Sequence, residues 1–190
     1  MRRLLSVFFL FSFLFLLSNQ FNAQSNVQFE SVGAKIGYIM PDGIDNTIGV
    51  NVNAGLGTLF TPDLHFSAFI EYWGKSYGDE GVAEWTWSSI VIAPQLKYLI
   101  PLEGSEFTPY AGGGLGFAIT SWDYESRYED DFPGFYDNDY SDSSTDIALF
   151  FLGGIEVPLS QNFNGVAELK YTIAEADYIG IFAGVQFYLD

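Results

Sequence analysis

The sequence predicts an all-β fold, an eight-stranded antiparallel up-and-down barrel that spans a membrane. Three observations predict it: apolar and polar residues alternate with period two in eight segments, short and long connections alternate between those segments, and the polar face of the strands is too poor in Lys and Arg for a solvated surface. The eight segments are approximately 29–40, 47–59, 64–73, 85–100, 108–121, 146–157, 163–173 and 178–189.

The composition is that of a folded and strongly acidic chain. Of its 190 residues, 48% are hydrophobic and 18% aromatic, which argues against disorder despite a formal net charge of −17. Such a charge repels nucleic acid, so no nucleic-acid partner is expected. The absence of cysteine excludes a disulfide framework, a thiolate nucleophile and a Cys-based metal site.

The N-terminus has the pattern of a secretory signal peptide. Arg2 and Arg3 precede an apolar run over residues 4–17, and small residues, Ala23 and Ser25, follow at the −3 and −1 positions of a cleavage site. A membrane anchor is the alternative, but the run is shorter than the roughly 20 residues of a spanning helix. We therefore predict a cleaved signal peptide over 1–25, with cleavage after Ser25 preferred to cleavage after Ala23, and an outer-membrane barrel domain over 26–190. Loss of the two arginines takes the net charge from −17 to −19.

The strand pattern is clearest in the second segment, where Val50 and Val52 alternate with Asn51 and Asn53. It is weakest in the sixth segment, where Phe150 and Leu152 fall on the polar side. Most segments reach the roughly 9–11 residues that a tilted membrane strand needs.

The connections give an independent indication of topology. Short turns at 61–63, 102–106 and 158–162 alternate with connections at 41–46, 74–84, 122–145 and 174–177, two of which are long. Outer-membrane barrels have short periplasmic turns and longer extracellular loops. The long connections are therefore predicted to lie outside the cell.

Charged residues on the polar face predict a narrow, filled lumen. Three of the five bases that follow the leader share this face with three glutamates, and charges buried in a lumen require partners. They are Lys35, Lys97 and Lys170, with Glu71, Glu156 and Glu168. The alternative is a soluble lipocalin-like barrel with this face in water.

Aromatic residues near the strand ends predict girdles at the two membrane interfaces. The residues expected at the outer level are Trp73, Trp85, Trp87, Trp122, Tyr38, Tyr72 and Tyr178, and those expected at the other level are Tyr110 and Tyr188.

Two segments resemble the small outer-membrane β-barrel superfamily, the porin-like and opacity-like eight-stranded proteins. Residues 107–116, FTPYAGGGLG, are similar to its fifth strand, and residues 184–189, GVQFYL, are similar to its C-terminal insertion signal. Leu189 stands where that signal usually ends in an aromatic residue, and Asp190 follows. The resemblance implies residence in the bacterial outer membrane, contact with its lipid and lipopolysaccharide, and insertion by the barrel-assembly machinery. It implies no single activity, since members include adhesins, anchors and a few enzymes.

Candidate chemical sites are few, and no catalytic, cofactor-binding or metal-binding residue is predicted. The glycines of 112–116 lack the third glycine and the following helix of a dinucleotide fingerprint, so a crowded lumen explains them better. His65 and Ser67 have the His-x-Ser spacing of certain outer-membrane lipid A esterases, but they fall near the periplasmic end of their strand. A lumen hydrogen bond is the preferred role for His65.

The long connection 122–145 is acidic and rich in tyrosine. Asp137, Asp139 and Asp142 faintly resemble the start of a calcium loop, but the glycine at position six is missing and Ala148 stands at position twelve, so it is not an EF-hand. Loose binding of a divalent cation or of an extracellular ligand stays open. The expected function is a structural or surface-interaction role without catalysis. The alternatives are a small-solute channel and a lipid A esterase.

Overall fold

The computed structural model describes residues 26–79, 83–126 and 140–189, and its regular structure is β-strand. The strands are β1 (Asn26–Pro41), β2 (Thr47–Thr58), β3 (Leu64–Asp79), β4 (Ala83–Leu99), β5 (Thr108–Ser126), β6 (Tyr140–Ser160), β7 (Phe163–Ile173) and β8 (Tyr178–Tyr188). Among these residues no helix is long and apolar enough to cross a membrane.

The eight strands form one closed ring in chain order. Each strand pairs antiparallel with the next, and β1 pairs with β8, from Ser31 opposite Tyr188 to Pro41 opposite Tyr178. Closure satisfies the backbone hydrogen bonds of every strand, which a structure in lipid requires. The predicted fold class is confirmed.

The two faces of each strand have the polarity predicted for a barrel in lipid. Val50 and Val52 are 49% and 59% exposed on the outside, while Asn51 between them is 2% exposed and faces the lumen. Phe150 and Leu152, which interrupt the alternation of β6, are both buried on the lumen side. The interruption arises because bulky apolar residues help to fill the lumen.

The ends of the barrel differ in length. Asn26 and Leu189 lie at the same end, which we call the terminal end, together with the turns β2–β3, β4–β5 and β6–β7. The opposite end is the distal end. The bounds of β7 are those predicted, but β3 to β6 run further at the distal end, so the prediction of loops at 74–84 and 122–145 is wrong for all of their described residues.

These additional residues form a four-stranded wall above half of the ring. It comprises Gly74–Asp79, Ala83–Ser88, Ser121–Ser126 and Tyr140–Thr145, and we call it the distal extension. Pairing of β2 with β3 ends at Gly49 and Trp73, and pairing of β6 with β7 ends at Leu149 and Ile173, so the other four strands stop lower. Strand pairing continues because apolar and polar residues keep alternating along these segments. The outer face of the strands is no longer apolar there.

The glycines of β5 allow this strand to lie close to its neighbour. A Cβ atom on Gly112 would lie 2.2 Å from the carbonyl oxygen of Leu96, and one on Gly116 would lie 2.4 Å from that of Ile92. These distances are too short for any side chain, which gives the glycine-rich segment a structural reason.

Candidate functional site

The described part of the lumen holds three ion pairs, one for each of its lysines, of which two are buried and that of Lys97 is partly buried. Lys35 Nζ lies 2.5 Å from Glu168 Oε1, Lys97 pairs with Glu156, and Lys170 pairs with Glu71. The six residues are those that the sequence placed on the polar face. Since the three positive charges match three negative charges, the lumen contributes no net charge to the protein.

Glu71 lies at the centre of the distal half of the lumen. Its Oε2 atom accepts hydrogen bonds from Lys170 and from Asn51 Nδ2, at 2.8 Å for Asn51, and its Oε1 atom accepts one from the Tyr178 hydroxyl at 2.5 Å. Glu71 is fully buried and Lys170 is 1% exposed. The three hydrogen-bond donors around the carboxylate offset much of the free-energy cost of removing it from water.

Aromatic rings close the lumen around this cluster. Phe69 and Phe150 meet edge to face with ring centroids 5.1 Å apart, and Trp73 meets Tyr178 in the same way at 5.8 Å. The ammonium group of Lys170 lies 4.5 Å from the centroid of Phe69, a distance typical of a cation–π contact. Trp73 and Tyr178 are therefore part of the lumen filling, and their assignment to the outer girdle is wrong.

The terminal half of the lumen has a second polar layer. Glu168 accepts a hydrogen bond from the Tyr110 hydroxyl at 2.9 Å in addition to its contact with Lys35. The further donors to Glu156 are Asn164 Nδ2 at 3.1 Å and the Tyr188 hydroxyl at 2.9 Å. Tyr110 and Tyr188 thus donate into the lumen, which corrects their assignment to a lipid-facing girdle. Side-chain direction follows strand parity, and both residues share the parity of the lumen.

The space left at this end is small. A recess of about 30 Å³ is bordered by polar residues of the lumen wall. This is room for about two water molecules. In the described part of the chain, aromatic rings and ion pairs occupy the lumen above the recess.

His65 and Ser67 border this recess. They lie on the lumen face of β3 at the terminal end, with His65 opposite Lys97 and Ser67 opposite Gln95 in the β3–β4 register. Ser67 is only 9% exposed. Both side chains point inward, and no hydrogen bond among the described residues joins the His65 ring to the Ser67 hydroxyl, so they form no nucleophile–base pair here.

The inner face of the distal extension continues the lumen wall and is aromatic. The β3–β4, β4–β5 and β5–β6 registers show no bulge along the extension, so strand parity carries over from the lumen. The residues on this inner face are Lys75, Tyr77, Trp85, Trp87, Trp122, Tyr124, Tyr140, Asp142 and Ser144. Trp85, Trp87 and Trp122 are therefore above the barrel on its inner side, which corrects their assignment to a lipid-facing girdle.

Four of the rings on this face form a contiguous cluster. Trp85 and Trp122 are nearly parallel, with an interplanar angle of 11° and centroids 6.4 Å apart. Tyr124 lies 4.5 Å from Trp85, and Tyr140 lies 4.9 Å from Trp122. Trp85 is 47% exposed and Tyr140 is 55% exposed, so this surface is open to a ligand.

The outward face of the extension is polar. Its residues are Ser76, Gly78, Glu84, Thr86, Ser88, Ser121, Asp123, Ser141, Ser143 and Thr145. In the barrel the apolar side of each strand points outward, whereas in the extension it points inward. This reversal places the extension in water, beyond the lipid, since a polar outer face in hydrocarbon costs free energy. It also explains why the sequence pattern of these segments resembles that of a loop.

The described side chains around the distal end are mostly acidic. They include eight acids, Asp42, Asp45, Glu84, Asp123, Asp142, Asp146, Glu175 and Asp177, and one base, Lys75. No group of three His, Cys, Asp or Glu residues able to hold a metal ion occurs within the described ranges. Asp137 and Asp139 lie outside these ranges, so the expectation of divalent-cation binding at 122–145 stays untested.

Comparison with known proteins identifies the family. The sequence matches the outer membrane protein beta-barrel domain over residues 8–187, so the chain belongs to this family of bacterial outer-membrane proteins. The barrel described above is therefore an integral protein of the bacterial outer membrane, in contact with its lipid. No curated protein sequence matches the chain significantly.

Several solved structures share the fold at low sequence identity. Ail, the attachment invasion locus protein of Yersinia pestis, solved with the heparin analogue sucrose octasulfate, is 14% identical with a TM-score of 0.58, covering 85% of this chain and 97% of Ail. Neisserial surface protein A is 18% identical with a TM-score of 0.59, covering 85% and 96%. A major outer membrane protein from Thermus thermophilus is 10% identical with a TM-score of 0.60, covering 84% and 99%. At these identities the likeness establishes the fold alone.

Proposed function

We propose that this protein is a non-enzymatic surface-interaction protein of the outer membrane, and that its distal extension binds the partner. The observation that carries the proposal is the reversed polarity of the extension, which exposes an aromatic face above the barrel. Large exposed aromatic surfaces outside lipid are unfavourable unless they are used for binding. Long loops of outer-membrane barrels are extracellular, so we assign the distal end to the cell surface and the terminal end to the periplasm.

The filled lumen supports this proposal over a channel. Its ion pairs and rings leave a recess of about 30 Å³ at the terminal end, which is far from a continuous aqueous path. The position of His65 and Ser67 supports it over a lipid A esterase, because they border that recess at the end assigned to the periplasm. The proposed insertion partner is the barrel-assembly machinery, acting on 184–189, where Phe187 and Leu189 are exposed on the outside.

The test is a trimmed barrel in which 75–87 and 122–144 are each replaced by a short turn. Whole cells that display either form are compared for binding to host cells, to other bacteria and to defined soluble probes. We expect the trimmed form to keep the heat-dependent gel mobility of a closed barrel and to lose binding. Equal binding by both forms would contradict the proposal, and so would linear conductance of the full protein in planar bilayers.

A further inference from the structure

We propose that the inner face of the distal extension binds an arginine-rich, basic segment of a partner polypeptide. The inference rests on the proposed function and specifies the chemistry of the partner. It combines two features of the same surface, nearly parallel indole rings that are partly exposed and a mostly acidic surrounding.

The rings have the geometry that a guanidinium group requires. Trp85 and Trp122 are nearly parallel, and the exposure of Trp85 leaves part of its ring open. Trp is the best aromatic partner for a cation over its ring face, and Arg is the cation that most often occupies this position because its planar group stacks. Tyr124 and Tyr140 continue the surface on either side, so successive basic side chains would each find a ring.

Carboxylates lie on the same face as the rings. Asp142 is directly opposite Trp122 in the β5–β6 register, and Asp146 follows four residues along on the same face. Both are exposed. Glu175, which accepts a hydrogen bond from Ser144, brings a third carboxylate to the edge of this face. A guanidinium group stacked on Trp122 therefore lies within reach of an acid.

The wider electrostatic field also favours a cation. The lumen lysines are neutralised by their glutamates, so the −19 charge of the predicted mature chain lies outside the lumen. Among the described side chains of the distal end, Lys75 stands against eight acids. Such a field raises the association rate of basic partners and repels polyanions. A sulfated ligand like the one bound to Ail would be repelled here.

The experiment uses the full mature protein in nanodiscs of phosphatidylcholine, a zwitterionic lipid that does not itself attract a basic peptide. Binding of an octa-arginine peptide is measured by calorimetry at 150 mM salt, beside octa-lysine and octa-glutamate peptides. We expect octa-arginine to bind more tightly than octa-lysine, and octa-glutamate not to bind. Equal affinity for the two basic peptides would mean that charge alone explains their binding, and it would overturn the inference.

Two aspartates on opposite faces of the extension provide a matched pair of variants. Asp142→Asn removes a charge beside Trp122, whereas Asp123→Asn removes one from the outward face a single register step away. We expect Asp142→Asn to weaken octa-arginine binding about threefold and Asp123→Asn to leave it nearly unchanged. Trp122→Leu should weaken it about fivefold. All three variants are checked for the heat-dependent mobility of the folded barrel.

The outcomes separate the inference from the proposed function. Equal losses in Asp142→Asn and Asp123→Asn would overturn the inference, because they would indicate general electrostatic attraction. A neutral probe, cellohexaose, could bind in a Trp122-dependent manner while octa-arginine does not bind. That result would overturn the inference of a basic partner but would leave the extension as a binding surface. Failure of the trimmed barrel to lose any binding would overturn both.

Discussion

Replacement of Glu71 by glutamine is the sharpest test of how the lumen is stabilised. The substitution keeps the size of the side chain and an acceptor for the Tyr178 hydroxyl, but it removes the charge that faces Lys170. Lys170 is 1% exposed, so its ammonium group cannot reach water without opening the barrel.

The expected cost follows from the contacts that remain. Breaking a buried ion pair by removing one partner destabilises a protein by about 3–5 kcal/mol, because an uncompensated charge stays buried. The ring of Phe69, 4.5 Å from the ammonium group, recovers part of this loss. We therefore expect Glu71→Gln to lower the free energy of unfolding by about 3 kcal/mol, the low end of that range.

The assay is reversible urea unfolding in phosphatidylcholine vesicles, followed by tryptophan fluorescence and by gel mobility. Lys170→Met and the double variant complete a double-mutant cycle. We expect the double variant to be more stable than Glu71→Gln alone, since no unpaired charge is left. Glu103→Gln, in the exposed β4–β5 turn, is the control and should change stability by less than about 0.5 kcal/mol. A Glu71→Gln cost no larger than that of the control, or additive effects in the cycle, would refute the reasoning.

The other predictions concern the lipid face, the leader and catalysis. Val52→Arg, on the outward face near the middle of β2, should lower the free energy of unfolding by about 2–4 kcal/mol. Asn53→Arg, on the lumen face, should lower it less. Equal losses of stability in urea unfolding would contradict the assignment of faces. Intact-mass measurement of the protein purified from outer membranes should give Asn26 as its first residue, because we predict cleavage after Ser25, and a retained leader would disprove it. Overproduction of the unsubstituted protein and of Ser67→Ala should both leave lipid A unchanged. If the unsubstituted protein deacylates lipid A and Ser67→Ala does not, the protein is an esterase.

The lumen ion pairs were predicted from the sequence as a set but not as pairs. Strand parity placed Lys35, Lys97 and Lys170 with three glutamates on one face. Which lysine meets which glutamate depends on how non-adjacent strands of the ring approach each other across the lumen: Lys35 on β1 meets Glu168 on β7, two strands away. Alternation along a single strand carries no information about this distance.

The positions of the aromatic residues are where the sequence prediction and the structure differ most clearly. Trp and Tyr near strand ends suggested interfacial girdles, yet Trp73 and Tyr178 are buried in the lumen and Trp85 and Trp122 line the extension. The signal for the correct assignment was present in their parity, since each falls on the polar face of its strand. Composition near the strand ends does not separate a ring that faces lipid from one on the lumen side, so the extension does not follow from composition.

The sequence by itself determined the class of fold, the number and order of strands, and the face of each strand that meets lipid. These follow from period-two alternation and chain connectivity, which are local properties. Only the tertiary structure decided that β3 to β6 continue beyond the barrel while the other four strands stop, and that this places an aromatic face above a filled lumen. Strand length at the distal end depends on pairing between segments far apart in the chain, and the polarity of each face reverses there because lipid gives way to water.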